Sequence, residues 1–300
     1  MKRKGFFLIF ALWLFVLLSF FCLGLGFKTF IEIKKTKLFL SKTRAFYLAV
    51  SGVKLAKTIL EEDEPSADYP SEDWALLDEE VTKIIFSSPK GEGQLKVTIQ
   101  DESSRINMNM KIDEQKRKIF LSLFEEIGIE NSEGKLNYIV DYIDEDNIRS
   151  GSDFSEENVK DAHLAVIEEL LLINDISTEE YSKIKKEVTV IGDGKININT
   201  ADEELIAIIV EELFKNDADA IKEEIFKKRY GQDGMAKSED DEYYAREAEF
   251  PQSEEGNLSS IFKVNSEYFR IISEAEVEGV VKKITCIVKR DGKIIYWYEK

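Results

Sequence analysis

The chain begins with a long run of apolar positions and then changes to a helical pattern of apolar and polar positions. No charged residue lies between Phe6 and Phe27, and a helix of this length would cross the apolar core of a bilayer. From Lys28 to about Leu60 there is no proline, and apolar residues recur three and four positions apart in the second part of this stretch. This pattern predicts one helix of about 55 residues with a membrane half and an amphipathic half. The alternative is a membrane helix followed by an unrelated coil.

The predicted amphipathic face is made of Phe46, Ala49, Val53, Ala56 and Leu60. Beyond it, the acidic stretch EEDEPSADYPSED at positions 61–73 contains two prolines, so the helix is expected to end there and a linker to follow. Positions 74–86 fit either a short helix or a strand.

A period of two residues marks the predicted strands. In LKVTIQD, which begins at Leu95, apolar and polar residues alternate, as in a half-buried strand. The alternation returns from Phe269 to Val277 and is followed by Gly279, by VKKITCIVKR and by the hairpin pair Asp291-Gly292. The C-terminus is therefore predicted to form three antiparallel strands, and the strand at Leu95 is a candidate fourth member of that sheet.

Between these strands, from about Met110 to Asn257, the periodicity is helical. It predicts four short amphipathic helices, at IFLSLFEEIGI, LNYIVDYID, ENVKDAHLAVIEELLLIND and TADEELIAIIVEELFK. The predicted fold class is therefore α+β: a long N-terminal helix, a small antiparallel sheet and a large helical domain inserted into the sheet domain.

Composition and chemistry exclude several classes of function. The chain has 59 acidic and 41 basic residues, a net charge of −18, and such a surface repels the phosphates of nucleic acids. Cys22 lies in the apolar run and Cys286 near the C-terminus, so no disulfide is expected. The only histidine, His163, lies in a predicted helix, and no zinc-ligand cluster, phosphate loop or Gly-x-Ser-x-Gly segment occurs. No enzymatic activity is predicted.

The N-terminus fits an anchor better than a cleaved secretory signal. Such a signal has a shorter apolar region and a small-x-small cleavage site, and neither is present here. Lys2, Arg3 and Lys4 predict that the N-terminus stays in the cytoplasm, with everything after Phe27 on the opposite side of the membrane. Gly5 lies at the boundary between the bases and the apolar run.

The segment DYIDEDNIRSGSD gathers carboxylates around a glycine-containing loop. Calcium requires several converging oxygens, although the spacing here is not that of an EF-hand. The segment is thus either a calcium site or a solvated acidic loop that caps a helix. The candidate ligands are Asp141, Asp144, Asp146 and Asp153.

Two asparagine-rich motifs, RINMN and KININ, are predicted to fix turns and cap helices through bonds from side chain to backbone. Their asparagines are Asn107, Asn109, Asn197 and Asn199. The segment INTADEELIAII also resembles the helix-hairpin-helix of DNA-binding competence proteins. Its hairpin glycine is missing, however, and Asp202, Glu203 and Glu204, with Glu211 and Glu212 just after the segment, would face the phosphates, so nucleic acid is not expected as a partner.

Four segments in order along the chain resemble segments of the K-type minor pseudopilins, the general secretion pathway protein K family of type II secretion systems. They are DESSRINMN, LNYIVDYIDEDN, VTVIGDGKININTADEELIAII and SEYFRIISEAEVEG. In the second segment, Tyr142 stands where the family has tryptophan. With the N-terminus, the resemblance covers nearly the whole chain.

The resemblance implies how the N-terminus is processed. In pseudopilins, prepilin peptidase cuts after the glycine of a short basic leader and methylates the new N-terminal amine, so the cut would fall between Gly5 and Phe6. Most pilins carry glutamate at the fifth mature position, and this position is Phe10 here, as is typical of K-type proteins. The family association with calcium favours the calcium interpretation of the acidic loop.

The resemblance also implies a function: a non-enzymatic minor pseudopilin at the pseudopilus tip, which initiates or caps assembly and supports export across the outer membrane. The implied partners are I- and J-type minor pseudopilins, the major pseudopilin, the inner-membrane assembly platform and prepilin peptidase. The protein would cross the bacterial inner membrane once, with its globular part in the periplasm. The alternatives are a minor pilin of a type IV pilus, with a priming or adhesive role, and an anchored periplasmic binding protein.

On this interpretation the chain divides into six parts: a leader at 1–5, a transmembrane or fibre-core helix at 6–27, the periplasmic half of that helix at 28–62, a linker with the first part of the pseudopilin domain at 63–105, an inserted helical domain at 106–256, and C-terminal strands at 257–300.

Overall fold

A computed structural model describes residues 2–64, 66–77, 84–88, 91–144, 160, 162–173, 175–234, 238 and 240–300, with the backbone alone at 2–5, 84–88 and 91–92. One helix, α1, runs from Lys2 to Glu62 and contains 61 residues. The prediction of a single helix through the membrane half and the amphipathic half is therefore confirmed, and the alternative with an unrelated coil is wrong. The helix ends three residues before Pro65, as expected where proline removes a backbone donor.

The strands form one five-stranded antiparallel sheet whose order is β1-β2-β7-β8-β9. Their bounds are β1 Ile84–Ser88, β2 Gly91–Asp101, β7 Tyr268–Val277, β8 Val280–Lys289 and β9 Ile294–Glu299. The three predicted C-terminal strands are β7, β8 and β9, and the strand at Leu95 is β2, which joins the sheet as proposed. Glu278 and Gly279 have positive φ in the β7–β8 turn, and Gly292 has φ +80° in the β8–β9 turn.

The second half of α1 covers one face of this sheet. The face predicted from the sequence is buried, with Phe46 partly buried and Ala49, Val53, Ala56 and Leu60 fully so. The alternating residues of β2 and β7 that point toward α1 are buried with them. Trp74 closes the end of this core and packs edge-to-face on Phe269, with ring centroids 5.1 Å apart. Each buried aliphatic side chain here contributes about 1.5–3 kcal/mol to docking of the helix.

The chain between β2 and β7 builds a second, mainly helical part with its own core. Its α-helices are α2 Glu114–Glu126, α3 Ser132–Ile143, α4 Thr178–Glu187, α5 Glu203–Leu213 and α6 Ala218–Tyr230. Two pairs of two-residue parallel strands tie these helices together: β3 Ile106–Asn107 with β4 Val188–Thr189, and β5 Ile196–Asn197 with β6 Phe262–Lys263. The α+β fold class predicted from the sequence is confirmed.

One predicted helix is wrong over its described part. The segment ENVKDAHLAVIEELLLIND was predicted as an α-helix, but from residue 162 onward it forms only a 3-10 helix, Ile167–Leu172, and His163 lies in the loop before it. The buried residues Leu164, Ile167, Leu170 and Ile173 are spaced by three. This spacing fits the three residues per turn of a 3-10 helix better than the 3.6 of an α-helix.

Candidate functional site

The first half of α1 exposes its apolar side chains. Every residue described from Phe6 to Leu40, except the half-buried Ala11, is exposed, and within this stretch the run to Phe27 carries no charge. The helix is long and apolar enough to cross a membrane. Ser19, in the middle of the run, donates its hydroxyl hydrogen to the carbonyl oxygen of Phe15 at 2.8 Å, which satisfies the one polar side chain of this turn without water. This half of α1 is a candidate membrane anchor.

A second exposed stretch of α1, from Lys28 to Leu40, separates the apolar run from the sheet. It combines bases with exposed apolar residues, among them Phe30, Leu38 and Phe39. Contact with the sheet part begins at Ser41, whose hydroxyl donates to Glu278 Oε2 at 2.5 Å in the β7–β8 turn. About ten turns of helix, from Phe6 to Leu40, therefore lie beyond the globular part, available to pack against other helices or lipid.

The docked half of α1 comes unusually close to the sheet at Gly52. A side chain at this position would collide with Ser273 Oγ and would place its Cβ 2.8 Å from Val97 Cγ2. Ser273 uses the close approach to donate its hydroxyl hydrogen to the carbonyl oxygen of Ala49 at 2.8 Å. The helix is thus fixed on the sheet by a hydrogen bond as well as by apolar packing.

A buried polar junction joins the two parts of the chain, and Asp101 at the end of β2 is its centre. The carboxylate accepts from the Ser103 backbone N–H, from Asn197 Nδ2, and from the hydroxyls of Thr200 and Ser266. Burial raises the pKa of Asp101, and these four hydrogen bonds offset part of that rise. Because its partners come from the helical part and from the segment before β7, Asp101 holds the helical part against the sheet.

Asp68 forms the other half of the junction. It is fully buried, its Oδ2 accepts from the Ser266 backbone N–H at 2.6 Å, and its Oδ1 is paired with Arg290 Nη2. Arg290 also binds Asp63 Oδ2 at 2.6 Å, just beyond the end of α1. Burial raises the pKa of Asp68 to about 7, although Arg290 and the Ser266 N–H act in the opposite direction.

A second buried carboxylate, Glu102, behaves in the opposite way because it faces two guanidinium groups. Arg270 binds it through two hydrogen bonds of 2.7 and 2.8 Å, and Arg105 Nη1 lies 2.8 Å from its Oε2. Burial acts to raise the pKa of Glu102, but these bonds and charges, with the Thr189 hydroxyl, hold it below its usual value. Glu102 therefore stays ionised and fixes β7 to the strand pair β3–β4.

The four asparagines predicted to be structural are confirmed in that role. Asn107 Oδ1 accepts from the Asn109 N–H, and Asn197 Oδ1 accepts from the Asn199 N–H, at 2.8 and 3.0 Å. The amide groups of all four donate to backbone carbonyls of distant segments, which holds the short parallel strands in place.

The structure places the predicted processing and assembly residues on α1. Gly5 lies in the first turns of the helix, while Phe6 and Phe10 are exposed, Phe10 by 58 %. The first acidic residue of the chain is Glu32, beyond the apolar run, so no carboxylate lies in the candidate anchor.

Only part of the predicted calcium site lies in the described chain. Asp141 is buried near the end of α3, and Asp144 is the C-terminal capping residue of that helix. Asp146 and Asp153 lie outside the described residues. Where the structure describes the chain, two other groups of three carboxylates come together: Asp63, Asp68 and Glu72, which Arg290 partly neutralises, and Asp233, Asp240 and Asp241.

The histidine and the two cysteines of the chain lie on separate elements. His163 is exposed in a loop. Both cysteines are free, and burial beneath α1 raises the pKa of Cys286 to about 12, so its thiol stays protonated at neutral pH.

Two comparisons with known proteins agree with this arrangement. The chain is 25 % identical to the type II secretion system protein K of Pseudomonas aeruginosa over 321 aligned positions, which cover 97 % of this chain and 91 % of that protein. Its fold matches a chain in the crystal structure of the GspK–GspI–GspJ complex from the type 2 secretion system of enterotoxigenic Escherichia coli, with a TM-score of 0.62 and 18 % identity, over 89 % of this chain and 99 % of that one. No protein-family model matches.

Proposed function

We infer that this chain, a member of the type II secretion system protein K family, works as a minor pseudopilin at the tip of a type II secretion pseudopilus. The observation that carries this proposal is α1: one continuous helix whose exposed apolar half can first anchor in the membrane and then pack in a fibre, while its other half is fixed to the sheet. The comparisons do not favour a type IV pilus minor pilin or an anchored binding protein.

The apolar half of α1 is kept in the mature protein on this proposal. Prepilin peptidase would cut between Gly5 and Phe6, remove the basic leader MKRKG and methylate the amine of Phe6. The three bases before the cut hold the N-terminus in the cytoplasm, so the sheet and the helical part would lie in the periplasm.

Phe10 supports the tip position. The carboxylate that most pilins carry at the fifth mature position is thought to pair with the N-terminal amine of the adjacent subunit already in the fibre. A buried carboxylate without a partner would cost several kcal/mol in the bilayer, so a subunit with nothing ahead of it gains by having phenylalanine there. The bulk of the helical part points the same way, because it would collide with neighbours in a shaft but is free at an end.

Calcium binding by the acidic loop after α3 is part of the proposal. Asp141 and Asp144 lie three residues apart at the end of α3, and Asp146 and Asp153 follow them along the chain. Bound calcium would tie the loop to the end of α3 through carboxylate oxygens.

I- and J-type minor pseudopilins are the proposed partners, together with the major pseudopilin, the assembly platform and prepilin peptidase. The GspK–GspI–GspJ complex joins a protein of the same fold to two such subunits. The exposed stretch of α1 before Ser41 is the part of this chain best placed to contact their helices.

Site-specific photocrosslinking in the native host tests this assignment. A photoreactive amino acid at Phe39, exposed on α1, should crosslink to I- and J-type subunits, whereas the same group at Leu172, exposed on the helical part, should not. Absence of any pseudopilin among the Phe39 products would contradict the assignment.

The tip position has its own test. Gold labelling of the helical part should mark one end of each pseudopilus, and regular labelling along the shaft would overturn the tip assignment. The Phe10→Glu variant should be processed normally, and it should not assemble into pseudopili more efficiently than the parent chain does.

A further inference from the structure

Strand β9 is an open edge of the five-stranded sheet. It pairs with β8 on one side, and no strand among the described residues pairs with its other side. The backbone N–H of Lys300 donates to the carbonyl oxygen of Lys283, and the N–H of Lys283 donates to the carbonyl oxygen of Lys300. Because bonded and non-bonded positions alternate along a regular antiparallel pair, the backbone groups of Glu299 and Trp297 point away from β8.

This edge lacks most of the features that usually block strand addition. β9 contains no proline, and its side chains are mostly large and exposed, among them Ile295, Trp297 by 36 % and Tyr298 by 52 %. The β8–β9 pairing has one irregularity between Ile287, which faces Tyr296, and Val288, which faces Ile294, so Ile295 is an extra residue of β9. The pairing from Tyr296 to Glu299 stays in regular register.

The hairpin of β8 and β9 is basic in a strongly acidic chain. Between residues 280 and 300 there are six bases and two acids, whereas the whole chain carries −18. Lys283 and Lys289 are paired with acids of β7 or the loop before it, and Arg290 belongs to the buried junction. Lys282, Lys293 and Lys300 form no ion pair with the other described residues, so their charges remain to attract an acidic partner.

A groove of about 600 Å³ lies beside β9, between the outer face of the sheet and the helical part. Tyr296, Tyr298 and Ile287 form the sheet wall, while Lys185 and Lys186 of α4 add positive charge from the other side. Tyr296 donates its hydroxyl hydrogen to Glu168 at 3.0 Å, which holds this aromatic wall in place. Apolar side chains of an added strand would have a place to pack, and acidic ones would find lysines nearby.

We propose that β9 accepts an extended acidic segment of another polypeptide as a sixth strand of the sheet. Backbone hydrogen bonds to Trp297 and Glu299 would provide most of the affinity, and the groove and the lysines would select apolar and acidic side chains. The site lies apart from the exposed stretch of α1, so the proposal goes beyond helix-mediated assembly.

Peptide binding to the full chain in nonionic detergent tests this directly. The probe is a fluorescent eight-residue peptide that alternates valine with glutamate, and binding is followed by fluorescence anisotropy. The same peptide with N-methyl groups on alternate residues cannot complete the ladder and should bind about tenfold more weakly or worse, which is a loss of about 1.4 kcal/mol. A valine–lysine peptide should bind least, and added salt should weaken the valine–glutamate peptide.

A pair of variants at one edge position tests the backbone contact from the protein side. Glu299→Pro removes an outward N–H and should weaken peptide binding by a similar factor, whereas Glu299→Thr loses the same carboxylate, keeps the N–H and should bind nearly as the parent chain does. Equal thermal melting of the two variants would show that the fold is intact. If Glu299→Pro does not fold, the N-methylated peptide alone decides the question.

Three results would overturn the proposal. The first is no binding of the valine–glutamate peptide, and the second is equal binding of its N-methylated or lysine counterpart. The third is self-association of the purified chain that Glu299→Pro abolishes, because the edge would then be filled by a second copy.

Discussion

Asn109 and Asn199, in the two asparagine motifs, make the same three hydrogen bonds in corresponding places. Asn109 donates to the carbonyl oxygens of Leu164 and Val190 at 2.9 and 2.8 Å and accepts from the Leu164 N–H at 2.8 Å. Asn199 donates to the carbonyl oxygens of Tyr244 and Val264 at 3.0 and 3.4 Å and accepts from the Tyr244 N–H at 2.8 Å. Each asparagine therefore ties its own motif to a returning strand and to the loop before it.

The correspondence extends to the strands around them. Each motif begins with a two-residue strand, β3 or β5, that pairs in parallel with a strand returning after the intervening helices, β4 or β6. The helical part therefore consists of two units with the same arrangement of strands. In each unit an asparagine side chain hydrogen-bonds to the returning segment.

Removal of one of these side-chain amides should lower the free energy of unfolding. Asn199→Ala leaves the buried carbonyl and N–H of Tyr244 without their partner and should destabilise the chain by about 3 kcal/mol, while the Val264 carbonyl keeps the Asp68 N–H. Urea unfolding of the full chain in detergent, followed by near-ultraviolet circular dichroism, measures the change. Asn216→Ala, at an exposed position, should stay within about 0.5 kcal/mol of the parent chain. Equal effects of the two substitutions would contradict the structural role of Asn199.

A methyl group at Gly52 should loosen α1 from the sheet. Gly52→Ala gains about 1 kcal/mol of helix propensity, but its Cβ collides with Ser273 and Val97 and should cost about 1–3 kcal/mol. The expected net result is a lower melting temperature. Gly26→Ala is the matched control, because no atom lies within 4 Å of its added Cβ. A melting temperature for Gly52→Ala equal to that of the control would show that the close approach is absent.

The buried junction should make stability depend on pH near neutrality. Because the pKa of Asp68 is raised from 3.8 to about 7 in the folded chain, its stabilising contribution is complete below about pH 4 and is lost as pH rises toward 7. The melting temperature should therefore fall from pH 5 to pH 8. In this window Glu102, whose pKa is lowered, stays ionised and does not contribute.

Asp68→Asn provides the control for this pH dependence. The amide keeps a hydrogen-bond acceptor for the Ser266 N–H but cannot titrate, so the decline between pH 5 and pH 8 should become shallower. An unchanged slope would assign the pH dependence to other groups.

The calcium proposal predicts a thermal shift that depends on the acidic loop. Calcium bound only to the folded state raises the melting temperature as its concentration increases. The full chain in detergent should therefore melt higher with calcium than with chelator, and Asp144→Ala should reduce the difference. Asp219→Ala, which removes an exposed acid elsewhere, should leave the shift intact. A full shift in Asp144→Ala would exclude this loop as the site.

Cleavage and methylation by prepilin peptidase predict a defined mass for the mature protein. Protein from the native host should lack residues 1–5 and carry one added methyl group on Phe6, as measured by intact-mass spectrometry. Substitution of Gly5 by leucine should block the cut, because the peptidase requires a small residue before it. Cleavage of this variant at the same bond would contradict the peptidase interpretation.

Helix α1 and the outer strands could be predicted from the sequence because their signals are local. The charge-free run to Phe27, the face from Phe46 to Leu60 and the alternation along β2 and β7 each reflect which residues face solvent and which are buried. The division of the chain into six parts rests on these patterns together with the family resemblance, and it remains a prediction.

The sequence by itself thus determined the long helix, the strand pattern, the α+β class and the resemblance that led to the function. Only the tertiary structure decided the 3-10 helix at Ile167, the role of Gly52, and the convergence of Asp68, Asp101 and Arg290 on one junction. The physical reason is sequence distance: a buried carboxylate acquires its partners and its pKa from segments that can lie more than two hundred residues away, and no local periodicity records which segments will meet.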